Sequence, residues 1–509
     1  MLKNLTLVQI LKYLIGLANL LSALQANLVL ADSSIWYNSN DPLSTEALTP
    51  PPIPAGYLDS QKDSICATAD YAKVLTLYDV AEAALCNNPQ TREAYANAKV
   101  QAAQVGIAKS AYLPSVNDNV SANFNLTYPE QSRSNPYNNL NNSIVASYLL
   151  YDFGNRDANL ESARQLLQAA SATQSSIVQN LLLSAIQAYY QVQAGIAALN
   201  ATLESERASE ESYKAAEARY KAGVATPADK LQAQTLFAQN TLTRITAEGA
   251  LKNAYGLLAN VMGLAANQTL KLTAIAPTQT VNNIDQDINA LIEQAHARRP
   301  DLVASEAQLK ASQANIDASR ASAKPTVSVA VSNNLQDGSN QSFNNTSTLG
   351  FTVSIPLFSG YGPTYRIKSA EASADARMAQ RDQLRLQISL DVWRAYQNLR
   401  TANESIRAAI VLVSSADESS RVALGRYKAG VGNIVDTLNA QSALASARQQ
   451  LIQANLNLNI ARAALAQSMG GLDNAMMQSL PEANAQKATT QKDGTEDNYT
   501  QTPILGKQP

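Results

Sequence analysis

Arg219-Tyr220-Lys221-Ala222-Gly223-Val224 returns unchanged as Arg426-Tyr427-Lys428-Ala429-Gly430-Val431, 207 positions later (219 to 426). The match continues outward at the same offset. Ala188-Tyr189 pairs with Ala395-Tyr396, Asp229 with Asp436, Leu231 with Leu438, Ala233-Gln234 with Ala440-Gln441, and Met262-Gly263 with Met469-Gly470. A period of about 200 residues is far longer than a solenoid unit. It marks a duplicated supersecondary block, with two copies side by side in one fold.

Each hexapeptide closes a long helical pattern. In the first copy Leu181, Ala185, Ala188, Val192, Ile196, Leu199 and Leu203 step by threes and fours, the spacing of a coiled-coil seam. No proline falls between Pro136 and Pro227. A helix from about Asp157 to Lys221 is expected, roughly 100 Å long at about 1.5 Å per residue. The second copy repeats it from about Tyr365 to Lys428. Gly223 and Gly430 are the expected C-terminal breakers, and a return helix then runs to Gly263 or Gly470. Upstream, a helix from about Leu75 is interrupted or bent near Pro89 and stops at Pro114; its counterpart from about Ile288 bends near Pro300 and stops at Pro325.

After Pro114 and Pro325 the period switches to two. Val116, Val120, Ala122, Phe124, Leu126 and Tyr128 alternate with Ser115, Asn117, Asn119, Ser121, Asn123 and Asn125. Val327, Val329 and Val331 alternate with Thr326, Ser328, Ala330 and Ser332. Return strands follow through Ile144 to Leu150 and Leu349 to Ile355, after loops rich in Asn, Ser and Gly. Two β-hairpins are expected, four strands in all.

The fold class is therefore mainly α with a small β part. The chain divides into a signal peptide 1–31, a Pro-rich extended segment 32–70, a first repeat 71–270, a second repeat 285–476 and a polar tail 477–509. The hairpins fall at about 114–153 and 325–358. The signal reading rests on Lys3 and Lys12, the apolar run from Leu5 to Leu30, and the small-residue ending Val29-Leu30-Ala31; an uncleaved anchor helix is the alternative. No cysteine follows that point closely enough for a lipid anchor. The only cysteines, Cys66 and Cys86, suit a disulfide in an exported chain, with two free thiols as the alternative. The formal net charge is −2 and no block is strongly basic, so nothing points to nucleic acid.

An open sheet edge cannot sit in lipid, yet the strands alternate as membrane barrels do. Oligomerisation resolves the conflict. Two chains would give eight strands and a filled interior, three would give twelve and a lumen, with the helices continuing the barrel as antiparallel coiled coils.

With both copies laid out, residues 70–475 resemble the TolC family of outer-membrane channels. The paired turns Arg219 to Thr226 and Arg426 to Val431, each at the end of a long helix, resemble that family's periplasmic tips. The resemblance implies a homotrimer with a twelve-stranded β-barrel in outer-membrane lipid and a trimeric α-barrel in the periplasm. It also implies a periplasmic adaptor and an inner-membrane pump, either an ABC or a proton-driven transporter. Gly223, Val224, Thr226, Gly430 and Val431 correspond to the adaptor-docking turns, although Asn433 replaces the usual Thr. Asp436 resembles the acid that rings the closed entrance of the family's best-known member. Asn439 and Gly432 stand where that member has a second Asp and a latching Arg, and Tyr427 with Asp229 matches a second gate pair. Independently of the family, Asp229 and Asp436 suit the first turn of the return helices, where a carboxylate favours the dipole.

Catalytic chemistry is missing. His296 is the only histidine and aligns with Leu85, a packing position. Arg298-Arg299 reads as a solvated pair. There is no HExxH, no phosphate loop and no metal-ligand spacing, so no cofactor or metal is expected. The function expected is a passive exit duct of a tripartite export machine. Type I protein secretion is favoured by the cysteine pair, the missing lipid-attachment cysteine and the polar tail. Small-molecule efflux is the alternative; an exported coiled-coil structural protein and a self-standing porin are disfavoured by the lipid-patterned hairpins and the helix-dominated chain.

Overall fold

The protein was analysed as a computed structural model that describes residues 41–57, 66, 73–125, 137–273, 287–339, 341–473 and 476. The expected signal peptide, most of the segment 58–70, the first hairpin's loop with Leu126 and Tyr128, and the tail 477–509 lie outside the described residues.

Eight α-helices occur among the described residues, in two runs of the same four lengths. The first run is α1 (Leu77–Asn87), α2 (Pro89–Ser110), α3 (Asn155–Lys221) and α4 (Pro227–Val261), of 11, 22, 67 and 35 residues. The second is α5 (Ile288–Arg298), α6 (Pro300–Ala321), α7 (Gly362–Lys428) and α8 (Ile434–Ser468), again 11, 22, 67 and 35. Pro89 and Pro300 each open a new helix, where the missing N–H costs nothing. The chain is thus interrupted at Pro89, one of the two expected forms, and the bend expected at Pro300 is a break as well.

Those breaks serve a purpose. The return helix of each copy ends in a left-handed glycine, Gly263 or Gly470, seated directly on the break of the same copy. A Cβ on Gly263 would lie 2.7 Å from the Asn87 carbonyl carbon, and one on Gly470 would lie 2.9 Å from that of Arg298. Asn88 ties the first joint by donating to the Val261 carbonyl at 2.9 Å. At the matching place Arg299 is not solvated, contrary to the sequence reading. Its side chain is 11% exposed and ion-paired with Asp301 at 2.6 Å and Asp391 at 3.2 Å. A residue at that joint is buried by the arriving helix end, so a charge there needs partners.

The chain forms two compact units. One contains Asn97–Ser171 and Ala304–Arg381 with the described residues up to Thr49. Its sheet has the order β2 (Ser115–Asn125), β3 (Tyr137–Tyr151), β5 (Thr326–Gly338), β6 (Gln341–Ser354), antiparallel throughout, with β2 and β6 unpaired on their outer edges. Register places Val116, Ala146, Val331 and Leu349 in one apolar row, and Tyr148, Val329 and Phe351 in the next. Phe351 is 69% exposed in the single chain. The alternation is not complete. Asp118 shares the apolar face opposite Ile144, and Asn333 on that face donates to Asn345 at 2.8 Å and Ser347 at 2.9 Å. Asn333, Asn345 and Ser347 satisfy one another, which lowers the cost of polar side chains on that face.

The second unit holds the remaining helical segments and a two-stranded parallel pair, β1 (Val74–Leu75) with β4 (Lys271–Leu272). Its main core gathers Val80, Leu85, Leu182, Ile186, Tyr189, Leu258 and Met262. A leucine as buried as Leu182 contributes about 2 kcal/mol. The counterpart core around α5 holds Leu291, Leu302, Ile388 and Val392. Cys66 and Cys86 are bonded to each other, which ties the chain ahead of β1 to α1. His296 packs on α7, with Nε2 3.2 Å from Ser389 Oγ.

Candidate functional site: the helix-tip turns

Two α-helices must reverse direction at each tip, and the same local device does it twice. Gly223 and Gly430 are left-handed, with φ of 72° and 80°. Their N–H groups donate to Tyr220 and Tyr427 carbonyls at 3.0 and 3.1 Å. Val224 and Val431 donate to Arg219 and Arg426 carbonyls, both at 3.0 Å. That pair of bonds is the Schellman motif, and a side chain in this backbone region is strained. No atom lies within 4 Å of a Cβ built on either glycine. Val224 and Val431 beside them are 65% and 71% exposed, an unusual position for valine.

The copies diverge at the start of the return helices. Thr226 caps α4 in a closed box. Its hydroxyl accepts from Asp229 N at 3.2 Å, and its own N–H donates to Asp229 Oδ2 at 3.0 Å. In the second copy Asn433 caps α8 through Val435 N at 3.1 Å, and the box does not form. The exchange of Thr for Asn releases Asp436, whose carboxylate is exposed and makes no hydrogen bond or ion pair among the described residues. Asn439 lies one turn on, exposed on the same face.

Tyr427 is the centre of a small core with Ala216, Ala233, Ile434 and Leu438, and is 6% exposed. Burial pushes its phenol up; the Arg219 charge opposes this and Asp229 adds to it. The structure does not join Tyr427 to Asp229 by a hydrogen bond. Asp229 is spent on the cap and makes no hydrogen bond to the Tyr427 hydroxyl. Arg219 holds Tyr427 instead, with its guanidinium 4.7 Å from the ring centroid and Nη1 donating to the Tyr427 carbonyl at 2.9 Å.

Gly432 is required on steric grounds. A Cβ there would meet Tyr427 N at 2.9 Å and the Arg426 carbonyl carbon at 3.0 Å, so this turn has no room for a latching side chain at 432. On the first tip Lys230 bridges to Glu217 at 3.0 Å and lies 5.8 Å from the Tyr220 ring centroid. The Lys230 hydrogen bond, with the Lys221 charge beside it, holds Glu217 below the ordinary carboxylate range. Sequence reasoning placed the turns but gave Arg219, Glu217 and Lys230 no role. The signal for Arg219 was its place in the repeated hexapeptide; the contact itself depends on a residue 208 positions away.

A unit that carries both membrane-patterned strands and long paired helices, and occurs twice, is the building block of a channel wall. The chain belongs to the outer membrane efflux protein family, whose family model matches residues 80–264 and 291–471. It is 30% identical over 411 residues to Protein CyaE of Bordetella pertussis, covering 79% of this chain and 86% of that one. It is 21% identical over 442 residues to outer membrane protein TolC of Escherichia coli, covering 84% and 88%. Among solved structures, the outer membrane protein VceC from Vibrio cholerae superposes with a TM-score of 0.69 at 19% identity, covering 78% of this chain and 97% of that one. The protein is thus an outer-membrane channel with its helical part in the periplasm, a conduit and not an enzyme.

Proposed function

We propose that three copies of this chain form the exit duct of a tripartite export machine, and that the cargo is protein exported by a type I route. The observation that carries the reading is the four-stranded sheet with an apolar face and two unpaired edges. Lipid cannot hydrogen-bond an open edge, so β2 must pair with β6 of a neighbouring chain. Three chains close a twelve-stranded barrel with an open lumen. Among the described strand residues the face opposite the apolar one carries no charged side chain. A neutral wall of Asn, Ser and Thr offers a passing polypeptide no electrostatic trap whatever its charge.

Energy comes from an inner-membrane transporter and reaches the duct through a periplasmic adaptor seated on Gly223, Val224, Thr226, Gly430 and Val431. The test has two readouts. Detergent-solubilised protein should have the mass of a trimer. Co-expression with an ABC transporter and adaptor of a type I system should export a polypeptide to the medium. Trimers that serve only a proton-driven pump would move the assignment to small-molecule efflux.

The gate reading rests on Asp436. Released from its cap box and repeated on three chains, the carboxylate creates a negative field that favours cations and disfavours anions. Asp436→Lys is expected to abolish block by multivalent cations in planar-bilayer recordings. Unchanged block would leave the residue with its helix-start role alone.

A further inference from the structure

The two copies of Arg-Tyr at the tips are used in opposite ways. In the second copy the tyrosine is buried and the arginine exposed: Tyr427 is 6% accessible, and Arg426 has no partner among the described residues. In the first copy the arginine is half-buried and the tyrosine exposed: Arg219 is engaged with Tyr427, and Tyr220 is 41% accessible. One clamp is made inside the chain, and the two halves of an identical clamp are left over.

The geometry of the clamp is available at the unused site. Tyr427 O accepts from both Gly430 N and Arg219 Nη1, filling both lone pairs. Tyr220 O accepts from Gly223 N in the same cap. A second donor would complete it as Arg219 completes the other. Lys230 approaches the Tyr220 ring at 5.8 Å, and its ammonium is committed to Glu217. The remaining ring surface is open to a second cation.

We propose that Arg426 of each chain clamps onto Tyr220 of the neighbouring chain, stacking on its ring and donating to its carbonyl. The operation that carries the first copy onto the second carries Arg219–Tyr427 onto Arg426 and the next Tyr220. A single chain has no next copy; a closed ring of chains supplies one. Clamps within and between chains then alternate around the entrance, and the between-chain set holds neighbouring tips together. This rests on the trimer reading, and its residues are distinct from the capped acids and from Gly432.

The test begins with the mass of the full-length protein in detergent. Tyr220→Cys with Arg426→Cys is then treated with a short bis-maleimide, the native cysteines being occupied in their own disulfide. Cross-linked multimers are expected, since a stacked guanidinium lies within about 6 Å of its ring centroid. In planar bilayers Arg426→Ala and Tyr220→Ala should each raise conductance roughly two-fold or more, and the double variant no further than either one. Trimers that give no cross-link, or additive conductance changes, overturn the clamp alone. A monomeric mass overturns the clamp together with the trimer.

Discussion

A chain carrying Gly263→Ala and Gly470→Ala is expected to reach the outer membrane in greatly reduced amount and to unfold well below the parent. Both glycines end a return helix with φ near 70°, at 72° and 71°. Any residue with a Cβ loses about 1–2 kcal/mol in that region. The new Cβ also falls 2.7 Å from the Asn87 carbonyl carbon and oxygen, or 2.9 Å from the Arg298 carbonyl carbon. These are backbone atoms with no rotamer to change, so overpacking adds on the order of 1–3 kcal/mol per site. Two sites together consume a large share of a stability margin of about 5–15 kcal/mol. Gly249→Ala is the control. It lies inside α4 with no atom within 4 Å of its Cβ, and alanine there should stabilise by about 0.5–1 kcal/mol. Thermal unfolding of the solubilised protein reads both effects. Equal midpoints for the double variant and Gly249→Ala would show that the joints yield.

Those glycines also mark how far the sequence could be read. Gly223, Gly263, Gly430 and Gly470 all sit at the end of a periodic helical pattern, and all four form the same left-handed cap. Caps are local, so the long helices begin and end within three residues of their expected bounds. The partner of a cap is not local. Gly263 rests on a break far upstream in the same copy, and no periodicity distinguishes it from Gly223, which meets nothing. The same limit explains Arg299, whose two acids only the fold brings to it. It explains Arg219 as well, since the identical Arg426 is exposed. Asp118 is a different failure. Alternation identified the strand, and the acid on the apolar face is a departure that a period of two absorbs without comment. The exchange of Thr226 for Asn433 was visible as a mismatch. Its consequence, an uncommitted Asp436, required the geometry of two caps.

Gly223→Trp with Gly430→Trp should give the converse phenotype, with trimers in the membrane and export reduced to background. The same φ penalty applies, about 1–2 kcal/mol at each turn. The second penalty does not, because a Cβ at either position points into open space. A loss of that size at an exposed turn leaves a folded protein. What the indole does change is the surface beside Val224 and Val431, apolar side chains at 65% and 71% exposure that the chain itself leaves uncovered. Exposed apolar residues at a turn gain only by being covered, and a partner shaped to a bare glycine backbone cannot accept an indole there. Export of a reporter polypeptide and recovery of trimers are measured on the same cells. Low export with full trimer recovery supports docking at the turns. Full export would remove the adaptor from both turns, and joint loss of trimer and export would make them part of the fold. Set beside the Gly263 and Gly470 variants, the outcome separates two uses of one motif. A left-handed glycine that is packed joins the wall; under the proposed docking, the bare one is surface held open for another protein.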